Sequence, residues 1–207
     1  MPSGWRTWTN GEVVTDTLVQ NYLQEQVINY FANAAARDAA ITSPEVGMWA
    51  FLGDVLQLTF YSGFSWDPIA NGTGWQTYTP TWSSSGTQPT LGNGTINGRY
   101  ARFGKTVHFD TSLIIGSTST AGTGNYRISL PSLGNADTTI ERETFCRSYD
   151  ASATAAYMGQ GVVNATYIQL QSGAVGGSSA VANVSATAPW VPAVGDIYKT
   201  WGTYELD

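Results

Sequence analysis

A chain of 207 residues with a formal net charge of −6, 12% charged and 42% hydrophobic residues, is long enough for one sizeable core plus a smaller one and too apolar to be disordered. It offers no basic stripe to neutralise phosphates or an anionic bilayer, so nucleic acid is excluded as a partner and membrane insertion is not expected. One cysteine, Cys146, precludes an internal disulfide framework, and no apolar run of about 18 residues offers a membrane span.

The N-terminal MPSGWRTWTNGE lacks the basic and apolar regions of a secretion signal, so the chain is expected to be made in a cytoplasm. Within it, Gly4 to Trp8 reads as an extended arm whose two tryptophans are costly to leave in water. Thr15 to Phe31, TDTLVQNYLQEQVINYF, is the one long predicted helix, with Thr15 as N-cap and Thr17 with Gln20 as an alternative capping box. At about 100° per residue, Leu18, Val19, Tyr22, Leu23, Val27, Tyr30 and Phe31 fan across roughly 220° of its surface, about twice what a one-sided helix needs. All of these but Val19 are the expected oligomer or attachment interface, shared between the chain's own hairpin and a neighbouring copy. Ala34 to Ala40 predicts a short helix stopped by Pro44 and Gly47. Met48 to Leu52 and Leu56 to Tyr61, around Gly53-Asp54, predict a β-hairpin, and Ser62-Gly63 then turns the chain to bring Trp66 beside it. So small a module, residues 1–70, cannot hide its aromatics alone and must pack on copies of itself or on a larger body.

Asp67 to Gly74 breaks every period and marks the domain boundary. Beyond it, residues 75–207 read as almost wholly β, as the 23 Gly, 8 Trp and 11 Tyr of the chain also favour. The predicted strands are Trp75 to Trp82, Thr95 to Ile115, Tyr126 to Leu130, Glu141 to Tyr149, Ala156 to Val163, Thr166 to Gln171, Val181 to Ala186 and Asp196 to Glu205. Phe103-Gly104-Lys105 folds the second of these into a hairpin, with Tyr100, Val107 and Phe109 available for its buried face. The expected fold class is mainly β: a helix-plus-hairpin module followed by a C-terminal β-sandwich of jelly-roll type.

RDAAI, a proline, GMWAFL, a loop and LTFYSGFSW resemble the N-terminal region of minor tail and tail-fibre proteins of long-tailed bacteriophages that infect actinobacteria. YTPTW, GNGTINGRYARFGKTVHF and a C-terminal run ending GTYE are similar to a terminal β-domain of many tail and fibre proteins of the same phages. Together these stretches span nearly the whole chain. The resemblance implies a virion structural protein, a tail fibre or minor tail component that serves assembly and host-surface attachment. Its implied partners are two further copies in a homotrimer, other tail or neck proteins of the virion, and host cell-surface glycan. A head-decoration, collar or neck fibre also fits the short length, since no coiled coil or repetitive shaft separates the two ends. A carbohydrate-binding or glycan-degrading protein is the alternative of a different class.

Catalysis finds little support in the residues, and neither a metal nor a cofactor is expected. Asp110, Asp137, Glu141, Glu143 and Asp150 are the carboxylates available to a glycosidase, but Arg142 and Arg147 beside Glu141 and Glu143 point to surface charge pairing. His108, the one histidine, alternates with Val107 and Phe109 in a strand, where a structural role is commoner than that of a general base. Cys146 reads as a small buried residue. Trp82, Tyr149, Tyr157 and Trp190 are candidate glycan contacts through ring stacking, although core or subunit-interface packing is the commoner fate of such residues.

Overall fold

The computed structural model describes residues 9–19, 27–70, 74–173 and 181–207. The chain divides into two compact units, Met1–Gly74 and Trp75–Asp207. Its architecture is mainly β, with a four-stranded sheet in the first unit and a curled nine-stranded sheet in the second.

The N-terminal unit contains α1 (Asp16–Val19), β1 (Ile28–Phe31), α2 (Ala34–Ala40), β2 (Trp49–Leu52), β3 (Gln57–Tyr61) and β4 (Trp66–Ala70). Its sheet runs β1-β2-β3-β4, with β1 parallel to β2 and the other pairs antiparallel. The single long helix expected over Thr15 to Phe31 starts where expected and is corrected at its C-terminal end, while residues 20–26 lie outside the described residues. Asp16–Val19 is helical, and the Thr15 hydroxyl accepts the Leu18 N–H at 3.3 Å as a cap. Ile28 to Phe31 is a strand, because Ile, Tyr and Phe suit a pleated surface and find a ladder in Trp49 to Leu52. Tyr30 thus belongs to the sheet, stacking on Phe51 at 6.2 Å while remaining 71% exposed. Phe31 and Leu18 are half-buried and Val27 is exposed, whereas Tyr22 and Leu23 lie outside the described residues.

The short helix α2 forms where predicted, with Asn33 Oδ1 accepting the Ala36 N–H at 2.9 Å. Its buried Arg37 lays the guanidinium 4.6 Å from the Trp66 ring centre and pairs with Asp38 at 2.8 Å. β2 and β3 are the predicted hairpin, and Trp66 stands beside it with its ring 5.5 Å from that of Tyr61. The stretch from Asp67 holds β4, which sequence periodicity misses because of Pro68. Proline brings no N–H to a ladder, and the β3–β4 register shifts between Leu58 and Thr59 where Thr59 meets Pro68.

The C-terminal unit contains β5 (Gln76–Tyr78), β6 (Trp82–Ser84), β7 (Thr95–Phe103), β8 (Thr106–Ile114), β9 (Tyr126–Ser129), β10 (Glu143–Asp150), β11 (Ala155–Val163), β12 (Tyr167–Gly173), β13 (Val181–Asn183) and β14 (Ile197–Glu205). Nine of these strands pair antiparallel in the order β5-β7-β8-β14-β10-β11-β12-β9-β6, and β13 adds to β12. β5 and β6 stand at opposite ends of that order yet are joined by Thr79 to Thr81, so the sheet must curl until its ends meet. Buried Pro80 interrupts what sequence alone reads as one strand from Trp75 to Trp82. The closure is fixed by the Thr81 N–H donating to Ser129 Oγ at 2.8 Å and the Tyr78 hydroxyl donating to the Ser129 carbonyl at 3.2 Å. The described strands follow one hydrogen-bonded order in a curled sheet, and the jelly-roll arrangement expected from the sequence is not shown by it. The nine-residue strands β7, β8 and β14 pair along their whole lengths, and shorter registers of three residues carry the order on through β11, β12, β9 and β6.

The β7–β8 hairpin turns at Gly104-Lys105, with Gly104 at φ +59°, a conformation that favours glycine. Strand alternation then sends Val107, Phe109 and Leu113 of β8 inward with Cys146, Ile168, Leu170, Tyr198 and Tyr204. Among the described residues no helix is long and apolar enough to cross a membrane.

Cys146 is fully buried, and desolvation pushes its thiol up to about 12. A water-soluble thiol reagent at pH about 8 is expected to leave the native chain unlabelled and to label it stoichiometrically once unfolded. Rapid native labelling would mean that β10 opens.

Candidate functional site

The same alternation that fills the core sets a row of side chains on the outer face of β7, β8, β14 and β10. Phe145 and Trp201 are register partners there, with rings 5.9 Å apart and 20° from parallel. Trp201 is next opposed to Asp110, and Asp110 to Arg99. Arg99 donates Nη2–H at 2.8 Å and Nε–H at 3.1 Å to one Asp110 oxygen, and its guanidinium lies 4.7 Å from the Trp75 ring centre. His108 Nδ1 and Thr203 Oγ1, 3.2 Å apart, share a hydrogen bond at one border. These residues line a cleft of about 380 Å³, walled by Trp75 on one side and Phe145 and Trp201 on the other. Phe145 is 61% and Trp75 48% exposed.

The floor beneath the aromatic pair is tied by hydrogen bonds. Buried Thr144 and Thr200 have hydroxyl oxygens 3.3 Å apart; Thr144 donates to the Gly161 carbonyl at 3.2 Å and Thr200 to that of Phe145 at 2.9 Å. Gly202 lets β14 approach this pair, since a Cβ there would stand 2.8 Å from Thr144 Cβ. Chemically the cleft offers broad apolar faces beside donors and acceptors whose charges already cancel. That combination suits a flat molecule with hydroxyls at its rim.

A second recess of about 680 Å³ lies at the seam of the curled sheet, lined by Tyr78, Tyr100, Ser129, Thr166 and Tyr167. Three of its hydroxyls are engaged in the fold: Tyr100 donates to Gln76 Oε1 at 2.6 Å, Tyr78, whose hydroxyl burial holds protonated, donates to the Ser129 carbonyl, and Ser129 Oγ accepts from the Thr81 N–H. The seam is built as a clasp.

The four aromatic residues singled out from sequence divide. Trp82 is corrected, being 6% exposed and set edge-on to Tyr126 in the core. Tyr157 and Trp190 extend the same pile, since Tyr157 contacts Trp190 at 5.2 Å, Trp190 stacks on Tyr198 at 6.3 Å, and Tyr198 meets Tyr126 at 6.2 Å. The Trp190 indole N–H is committed to buried Asp196 at 2.7 Å. Tyr149 lies on the outer face of β10, half-buried, with the Arg147 guanidinium 5.5 Å from its ring.

Phe145, Trp201 and Trp75 escape sequence inspection, although the signal for one was present. With Cys146 read as buried, period two places Phe145 outside.

The candidate carboxylates serve turns and pairs. Arg142 reaches Glu205 at 2.8 Å and not the adjacent glutamates; Glu143 accepts from Gln160 at 2.7 Å; and Glu141 precedes β10, so the two glutamates do not share a strand face. Among the described residues no three His, Cys, Asp or Glu side chains gather to hold a metal ion. Asp150 accepts from Ser152 Oγ and from the Ser152 and Ala153 amides, Asp137 from Thr139, and in each case the side-chain hydroxyl bond leads in holding the carboxyl below its ordinary 3.8. A depressed folded-state value contributes stability above the unfolded value that is lost as pH falls through the folded one. The melting temperature is therefore expected to fall on acidification below about pH 4, less steeply in Asp150→Asn; identical acid profiles would remove Asp150 from this account.

Comparisons with protein families, with curated proteins and with solved structures find no match to this chain.

Proposed function

We propose that the chain is a structural protein of a tailed-phage virion, a tail fibre or minor tail component. In this reading residues 1–74 join it to the particle and the C-terminal unit meets host-surface glycan without catalysing its breakdown. The observation that carries the proposal is the outward cleft of Trp75, Phe145 and Trp201, whose faces suit sugar rings and whose Asp110, Arg99 and Thr203 suit hydroxyls. The phage-like motifs at both ends of the chain supply the setting. Val27, Ile28, Tyr30 and Phe64 leave apolar surface exposed on the N-terminal unit, the kind of surface that assembly covers. A closed trimer would bury such surface without leaving a polymerising edge, and it would multiply weak contacts by raising the effective concentration of each cleft.

Particle association and adsorption to cells test this division of labour. Ile28→Asp with Tyr30→Asp is expected to abolish incorporation, whereas deleting Trp75 to Asp207 leaves incorporation and removes adsorption. Loss of incorporation from the deletion, with the strand variant still incorporated, would make the β-domain the anchor.

A further inference from the structure

One rung along from the stacked aromatic pair, Arg147 of β10 and Lys199 of β14 are directly opposed in register. They share the outer face with Phe145 and Trp201, two residues away on the same strands. Like charges placed opposite each other weaken a ladder, and among the described residues the offset is a Tyr149 ring 5.5 Å from the Arg147 guanidinium and no counter-charge. Among the described residues neither forms an ion pair. Their outer neighbours in register, Met158 and Ser112, are uncharged, and the nearest acidic position on β8, Asp110, is already held by Arg99. A chain with nine Lys and Arg and a net charge of −6 thus sets two of its cations face to face beside an aromatic platform.

We infer that Arg147 and Lys199 bind the anionic group, carboxylate or phosphate, of an acidic polysaccharide whose sugar ring stacks on Phe145 and Trp201. The inference rests on the cleft being the glycan surface and specifies which glycans it takes. Alternate residues of a strand stand about 7 Å apart, so a ring over the aromatic pair carries its own acidic group, or that of the next sugar, over the cations. Arg147 supplies a planar fork for two oxygens and Lys199 a movable point charge. The bound anion removes the repulsion that the free protein bears.

Calorimetric titration of the full chain with oligogalacturonate, its methyl ester and a glucosylated poly(glycerol phosphate) tests this. Wild type is expected to bind at least one acidic polymer about tenfold or more tighter than the uncharged ester, a preference that added salt erodes. The two acidic polymers separate carboxylate from phosphate as the group recognised. Arg147→Gln with Lys199→Gln should abolish the preference while leaving weak ester binding unchanged, and its melting temperature should equal or exceed that of wild type. Trp201→Ala should weaken binding of acid and ester alike. Equal affinity for acid and ester, still sensitive to Trp201→Ala, overturns the acidic ligand and leaves the glycan cleft standing. Absence of binding to all three polymers overturns both. A change of oligomeric state on Trp201→Ala, with binding unaltered, would assign this face to a second copy of the chain and overturn the inference.

Discussion

Asp196→Ala is expected to destabilise the C-terminal unit by about 3 kcal/mol, because it takes the acceptor from three part-buried donors at a cost of about 1 kcal/mol each, the low end for a lost partner. The carboxylate is fully buried, with Oδ1 accepting the Ala151 N–H at 2.9 Å and Oδ2 accepting the Trp190 indole N–H at 2.7 Å and the Ala193 N–H at 2.9 Å. Its backbone carbonyl also accepts the Ile115 N–H at 2.9 Å, so the one residue ties together the segments after β8, after β10 and before β14. Loss of the side chain frees Trp190 from the aromatic pile that runs through Tyr198 and Tyr126 to Trp82. Asp196→Asn should fall between the two, since its amide N–H₂ must face donors on one side. Denaturant unfolding followed by tryptophan fluorescence checks the order. A loss below about 1 kcal/mol for the alanine variant would show that water replaces the carboxylate.

Gly159→Ala is expected to cost about 3 kcal/mol, the upper part of the usual range for overpacking, even though alanine is the smallest possible addition. A Cβ at Gly159 would collide with the Gln171 carbonyl oxygen and stand 2.6 Å from Ser172 Cα. Both are backbone atoms of β12, so relief requires that β11 and β12 separate, and no rotamer change helps. Gly159 is also the register partner of Cys146, whose thiol should gain access to reagents in this variant. A stable Gly159→Ala chain with a silent thiol would mean that β12 yields locally.

The mainly β class was legible because turn residues punctuate alternating runs, and the β7–β8 hairpin because Gly104 stands between two of them. The helix expected over Thr15 to Phe31 fails at Ile28 to Phe31, where the spacing of apolar residues fits either period and pairing with Trp49 to Leu52 decides. Curling of the sheet was not legible, since it depends on which strands pair across the closure, and Ser129 gives no sequence sign that it accepts from Tyr78 and Thr81. The site was hard to read for a related reason. β14 carries large side chains on both parities, Tyr198 and Tyr204 inward and Trp201 outward, so hydrophobicity alone cannot choose its face. Trp82 and Trp190, the more conspicuous tryptophans, proved to be core and loop packing.

Adsorption of particles carrying Phe145→Ala with Trp201→Ala tests the central claim most directly, because both side chains sit on the outer face and the Thr144–Thr200 floor beneath them is untouched. The account predicts particles that assemble with the normal amount of this chain and adsorb to host cells at least about tenfold more slowly. Normal assembly with wild-type adsorption would contradict it.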